Sequence, residues 1–214
     1  ERQNFLHFYY FFITHQQKNR GYNGEIIIGG VPLNEVNETN LMQRVVLVRH
    51  NSYLFKGTVE ENLKMAKPDA TKEEMEAVLQ KVNLLGFLQT QDGLQTQLLE
   101  KASNLSGGQC QRLVIARALL RTDSAVYIFD EAASNIDVES EELIMNVIHE
   151  LAKTVLLISH RLANVVKSDK IYFLKDGEIK ESGKHDELMS QNGAYRHLYE
   201  SQMALENYGK GGMA

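Results

Sequence analysis

Apolar runs of strand length alternate with helical stretches along most of the chain. Four runs rich in Val, Ile and Leu are separated by polar segments, at 24–30, 45–48, 125–131 and 154–160. The run 24–30 predicts a short strand between glycines and 45–48 an apolar strand, while 125–131 and 154–160 are typical of buried strands, the first of them of a parallel sheet. At 170–183 two short runs flank an Asp-Gly pair instead, which predicts a β-hairpin.

A helical period appears between the strand runs. Apolar side chains at spacings of three and four residues predict one amphipathic helix with the stripe Met75, Val78, Leu79, Val82 and Leu85. Thr71 followed by Glu74 predicts a capping box at the start of this helix. Further helical patterns cover 104–120, after a short loop, then 139–151 and the last thirty residues.

Alternating strands and helices predict an α/β fold with a largely parallel sheet. The predicted sheet core comprises 24–59 and 121–208, and 60–120 is a helical subdomain inserted into it. Residues 1–23 form an atypical N-terminal segment, and the Gly-rich residues 209–214 are predicted to be a flexible tail.

The composition narrows the class of protein. A chain of 214 residues is long enough for one domain with a real core. Its net charge of −5 argues against a nucleic-acid partner, since nucleic-acid binders usually carry a basic face. The single cysteine, Cys110, excludes an internal disulfide framework. No run approaches the roughly 20 apolar residues of a membrane-spanning helix, so any membrane crossing requires another segment or subunit.

Two carboxylates end the apolar run 125–131. Asp130 and Glu131 follow a predicted buried strand, and ligands of parallel sheets bind at that carboxyl edge. Asp130 suits a magnesium ion, and Glu131 suits a general base or a group that orients water. An Asp-Glu pair that merely begins a turn is the alternative.

The stretch LSGGQ, Leu105–Gln109, precedes a predicted helix. Adjacent glycines and a helix N-terminus present backbone N–H groups to an anion, although a flexible Gly-Gly turn is the plain alternative. His160 ends another strand run, where it is suited to binding a phosphate or polarising water. A structural histidine is the alternative there.

The order and spacing of these motifs resemble the ATP-binding domain of ABC transporters, particularly of the exporter type. The resemblance covers about 24–198. Its parts are the signature at 105–109, the Walker B strand at 125–131, the D-loop at Ser134–Asp137, the switch histidine His160, the exporter pattern at 52–63 and the C-terminal hairpin at 173–188.

The resemblance implies a P-loop NTPase-like sheet core and a head-to-tail dimer with a second ATP-binding domain, identical or different. It implies ATP and Mg2+ as ligands, a transmembrane domain fused or separate, and a place at the cytoplasmic face of the cell membrane. Glu131 and His160 are the implied catalytic residues, and Asp130 and His50 the implied metal site. The implied nucleotide-binding residues are Leu105, Ser106, Gly107, Gly108, Gln109 and Asp137.

Several positions depart from the family pattern. His50 stands at the position of the Q-loop glutamine, Cys110 follows the signature, and Ala133 replaces a Thr or Ser. No Gly-x-x-x-x-Gly-Lys-[Ser/Thr] string occurs in the 214 residues, so the domain is expected to be N-terminally truncated.

The segment 1–23 occupies the place expected for the P-loop. Codons permitted for Glu1-Arg2-Gln3-Asn4, shifted by one nucleotide, encode Ser-Gly-Lys-Thr, which suggests a changed reading frame. A partial sequence and a genuine loss of the P-loop are the alternatives.

The sequence leaves two functions open. One is an ATPase domain that powers transport but is inactive as this chain alone. The other is a non-catalytic partner that donates its signature to another subunit's ATP site.

Overall fold

The fold is taken from a computed structural model, which describes residues 27–32, 35–133 and 136–211. The predicted N-terminal segment 1–23 and the first half of the predicted D-loop lie outside these residues. The strands are β1 Ile27–Ile28, β2 Val31–Pro32, β3 Val45–Arg49, β4 Gly57–Thr58, β5 Gln97–Leu98, β6 Val126–Asp130, β7 Thr154–Ile158, β8 Ile171–Lys175 and β9 Glu178–Gly183. The α-helices are α1 Glu38–Arg44, α2 Val59–Lys64, α3 Lys72–Lys81, α4 Leu85–Gln89, α5 Gly107–Leu119, α6 Val138–His149, α7 His185–Ser190 and α8 Ala194–Gly211.

The central sheet is parallel, in the order β3-β6-β7. In its register Arg49 lies opposite Asp130, and Asp130 lies opposite Ile158. The three strands therefore end at one level, and the residues that follow them share one edge of the sheet. The predicted α/β class with a parallel sheet is confirmed.

The helices of 60–120 pack onto the sheet through a shared core. One cluster of buried side chains joins Val48 and Phe129 of the sheet to Leu79, Leu88 and Leu113 of the helices. The same interval also contains β5, which pairs antiparallel with β4. The signature helix α5 is thereby seated against the sheet by apolar contacts rather than by a separate core.

The predicted helix with its stripe up to Leu85 is wrong at its C-terminal end. Thr71 forms the expected capping box with Glu74, and α3 ends at Lys81. Asn83 then takes a left-handed φ of 53°, which asparagine tolerates better than most residues. The backbone N–H of Leu84 donates a hydrogen bond to the carbonyl of Leu79 at 2.9 Å. The apolar stripe therefore continues on a second helix, α4: Met75, Val78, Leu79 and Val82 are buried, and Leu85 is partly buried against the same core.

The C-terminal part follows the predicted pattern closely. The hairpin β8–β9 turns at Asp176 and Gly177, whose φ angles of 54° and 76° are the left-handed pair of a tight hairpin turn. Helix α8 continues to Gly211, three residues into the predicted tail, and 212–214 lie outside the described residues.

Candidate functional site

The edge formed by the ends of β3, β6 and β7 carries the predicted polar residues. His50 donates its backbone N–H to the carbonyl of Asp130 at 3.2 Å. Glu131 donates its N–H to the carbonyl of Ile158 at 3.0 Å. These two bonds continue the sheet by one residue and hold Asp130 and Glu131 between the neighbouring strand ends.

Glu131 and His160 meet at this edge. Oε1 of Glu131 lies 3.3 Å from Nδ1 of His160, and the two side chains are 41% and 62% exposed. Glu131 has a left-handed φ of 49°, a conformation that costs a non-glycine residue about 1–3 kcal/mol. The strained backbone presents the carboxylate to solvent beside the imidazole, an arrangement that can orient a water molecule.

Asp130 ends β6 half-buried. Magnesium takes oxygen ligands and is commonly held by one or two carboxylates, with water and substrate phosphates completing the shell. Asp130 fits such a site, whereas the imidazole of His50 is a nitrogen donor better matched to other metals. Across the described residues, no three His, Cys, Asp or Glu side chains cluster as a metal-binding group.

The signature turn is organised by a capping box at the start of α5. Ser106 Oγ accepts the N–H of Gln109 at 3.2 Å, and Gln109 Oε1 accepts the N–H of Ser106 at 2.9 Å. Leu105 packs on the core and anchors the turn. Gly107 is exposed, and a Cβ built on it would meet no atom within 4 Å. The fold of this chain therefore gives no steric reason for glycine at that position.

Asp137 begins α6. Its Oδ1 accepts the N–H of Ser140 at 2.9 Å, and this bond lowers the pKa of the Asp137 carboxyl. Of the predicted D-loop, Ser134 and Asn135 lie outside the described residues.

Residues that the sequence reasoning missed connect these motifs. Arg112 donates to the carbonyl of Gly108 at 3.4 Å and to Ser140 Oγ at 3.1 Å, so it links the signature helix to α6. The buried Gln111 donates to the carbonyl of Arg49 at 3.3 Å and links that helix to β3. Neither link between elements has a local sequence signal, since Ser140 lies 28 positions from Arg112 and Arg49 lies 62 positions from Gln111.

Comparison with known proteins gives this arrangement its context. The family model described as ABC transporter matches residues 12–134. The chain belongs to the ABC transporter family. The expected resemblance is confirmed at this level: it is an ABC transporter ATP-binding domain with exporter-type relatives.

Three relatives illustrate the match. An uncharacterised ABC transporter ATP-binding protein of Haemophilus influenzae is 50% identical over 190 residues, or 88% of this chain and 34% of that protein. An ATP-dependent lipid A-core flippase of Mannheimia succiniciproducens is 42% identical over 84% of this chain and 31% of the flippase. The structure of a bacterial Atm1-family ABC exporter with ATP bound has a TM-score of 0.81 and 30% identity, covering 85% of this chain and 32% of the exporter.

This chain spans about a third of the length of these relatives. Within the part of the chain that the structure describes, no helix combines the length and apolar character needed to cross a bilayer.

Proposed function

We propose that this chain is the ATPase domain of an exporter-type ABC transporter, in which ATP-driven dimerisation and hydrolysis power transport across a membrane. The pairing of Glu131 with His160 at the carboxyl edge of the sheet carries this proposal. It places a carboxylate and an imidazole side by side where parallel sheets bind their ligands.

Each predicted residue has a role in this scheme. Glu131 orients the attacking water, and His160 contacts the terminal phosphate of ATP. Asp130 holds Mg2+, which when bound supplies positive charge to the phosphate oxygens. His50 lies next to Asp130 and is suited to binding a water molecule there.

The signature Leu105–Gln109 serves the ATP of a second ATP-binding domain. Exposed N–H groups at the start of α5 offer an anion site. The open space around Gly107 supports close approach by a ligand from outside the subunit, since glycine otherwise lowers helix stability. Asp137 lies at the start of α6, where it contacts the same interface.

A transmembrane domain is the second proposed partner, and the domain then works at the cytoplasmic face of the membrane. Tyr53 and Phe55 are exposed and stack edge to face at 4.8 Å. Leu99, also exposed, directly follows β5, and β5 pairs with the strand β4 that begins two residues after Phe55. An exposed apolar patch of this kind marks a docking surface.

A donor role without catalysis is the second candidate. The signature turn is fully formed at the start of α5 and is held by bonds within this chain. In this scheme the chain completes another subunit's ATP site and hydrolyses nothing itself.

One experiment separates the two candidates. The chain is mixed with a P-loop-containing ATP-binding domain of a relative, and ATP hydrolysis is measured with Ser106→Arg, with Glu131→Gln and with the exposed control Lys72→Gln. If the chain hydrolyses ATP in its own site, we expect Glu131→Gln to remove the share of turnover that this site contributes, while the partner's site keeps working. If it is only a donor, Ser106→Arg lowers turnover and Glu131→Gln does not. If neither Ser106→Arg nor Glu131→Gln changes the turnover, both roles are refuted.

A further inference from the structure

The ring of His160 is placed by its backbone rather than by packing. It is 62% exposed and lies against Glu131, so few side-chain contacts restrict it. Its orientation toward Glu131 therefore depends on how firmly the segment Ser159–Leu162 is held.

One side of this segment is held by α6. The carboxylate of Glu141, only 4% exposed, forms an ion pair with the guanidinium of Arg161. Asn164 donates to Glu141 Oε1 at 2.8 Å and to Ser159 Oγ at 3.4 Å. The α6 contact thus fixes the side chain of Arg161, and Ser159 Oγ bonds the N–H and the carbonyl of Arg161 within the segment. The carbonyl of His160 and the N–H of Leu162 bond to a different element.

That element is α8, through the side chain of Gln202. Its Nε2 donates to the carbonyl of His160 at 2.7 Å, and its Oε1 accepts the N–H of Leu162 at 2.9 Å. The side-chain amide of Gln202 therefore bonds the backbone on both sides of Arg161, at His160 and at Leu162. Only Asn and Gln carry an NH₂ donor and a carbonyl acceptor on one amide group, and Asn is shorter by one methylene.

The helix that carries Gln202 is anchored away from the site. Tyr195 is fully buried, its hydroxyl lies 2.8 Å from His185 Nδ1, and its ring belongs to the cluster around β8. Glu181 of β9 accepts the N–H of Ala194 at the start of α8. Gln202 thus links His160 to a hairpin and helix that do not themselves form the site.

We propose that Gln202 is a positioning residue for His160: its side-chain amide holds the backbone of residues 160–162 so that the imidazole faces Glu131. The functional meaning of this clamp rests on the proposed ATPase role. The clamp itself is a property of the folded chain and is measurable without nucleotide.

The test uses the 214-residue chain at a concentration at which it is monomeric. Gln202→Met keeps the length of the side chain and removes both hydrogen bonds. Gln202→Glu keeps an acceptor for Leu162 and removes the donor to His160. Ser201→Ala is the matched control, because the Ser201 hydroxyl bonds only within its own helix, to His197. Tyr195→Phe weakens the anchoring of α8 without touching Gln202.

Amide exchange at Leu162 and the nuclear Overhauser contact between the His160 ring and Glu131 are the two readouts. We expect Gln202→Met to speed exchange at Leu162 by about fivefold, as the loss of one ordinary hydrogen bond implies, and to weaken the His160–Glu131 contact. Gln202→Glu should weaken the contact while Leu162 stays protected. Ser201→Ala and Tyr195→Phe should change neither.

Two results would overturn the clamp. One is unchanged exchange and contact in Gln202→Met. The other is the same change in Tyr195→Phe, which would mean that Gln202 only docks α8. Absence of hydrolysis in every assembly, with both readouts as expected, would instead refute the ATPase role and leave the clamp standing.

Discussion

At the residue scale, the site is built from backbone conformations that local hydrogen bonds maintain. Glu131 keeps its left-handed φ because its N–H bonds to Ile158 and the next two residues, Ala132 and Ala133, are buried. Packing around the end of β6 therefore stabilises the strained backbone of Glu131. This backbone conformation presents the carboxylate to solvent. Glu131 belongs with the strained residues that cluster at functional sites.

Asp137 gives a pH-dependent prediction at this scale. Its pKa is lowered by the N–H of Ser140, so its charged form stabilises the fold. That stability is fully present above the ordinary pKa of 3.8 and is lost as the pH falls through the lower folded value. Asn caps a helix but carries no charge. We expect the free energy of unfolding of Asp137→Asn to be lower than that of the parent at pH 7. The two should be equal once the pH is below the folded pKa of Asp137, where its carboxyl is protonated.

Denaturant unfolding at pH 7 and at pH values from 5 downward measures this difference. Asp137→Ala is the control, since it removes the cap at every pH and costs about 1 kcal/mol. A stability difference between parent and Asp137→Asn that does not change with pH would contradict the prediction.

At the scale of elements, the C-terminal hairpin and helices form a unit of their own. Leu162, Val165, Ile171, Leu188 and Tyr195 make a core cluster separate from the main one. Glu181 accepts the N–H groups at the start of α8, and α8 carries Gln202 back to the strand end of β7. The unit therefore supports the site from a distance.

Tyr195 gives a prediction for this unit. Burial raises the pKa of its phenol to about 12. A group whose folded pKa is raised stabilises the fold fully below its unfolded pKa, and that stability is lost as the pH rises through the folded value. We therefore expect the parent to lose stability between about pH 10 and pH 12 in excess of Tyr195→Phe.

The comparison is made by denaturant unfolding at pH 8 and pH 11. At pH 8, Tyr195→Phe should be less stable by about 1 kcal/mol, because the hydrogen bond to His185 is lost. At pH 11 the two free energies of unfolding should converge. Parallel curves across this range would show that Tyr195 does not ionise on unfolding.

At the scale of the whole molecule, two strand edges face each other across a cavity of about 900 Å³. Its lining includes four residues of β7 and four of β8. Among the described residues, β7 pairs only with β6, and β8 only with β9. Strand edges with apolar side chains are templates for pairing with another chain.

We therefore expect the isolated chain to self-associate as its concentration rises. Sedimentation velocity over a hundredfold concentration range measures this association. Addition of arginine or mild urea should shift the distribution toward the monomer. A single monomer peak at every concentration, together with one cooperative thermal transition, would contradict the prediction.

The sequence by itself determined the features that depend on local physics. The capping box at Thr71, the Asp-Gly hairpin turn and the strand runs at 45–48, 125–131 and 154–160 each follow from residues a few positions apart. The predicted strand 24–30 is wrong, because the chain turns at Gly29 and Gly30 and its two short strands, β1 and β2, pair antiparallel. The spacing of the motifs also sufficed to indicate the family, because each motif is a short string. The α/β class followed from the alternation of these elements.

Only the tertiary structure decided which residues hold the motifs in place. Gln202 lies 40 positions from Leu162, and Arg112 lies 28 positions from Ser140. Contacts of this kind depend on sheet register and helix packing, which no local pattern encodes. The break at Asn83 was missed for a related reason: the apolar period runs on across it, while the backbone turns so that both helices can face one core.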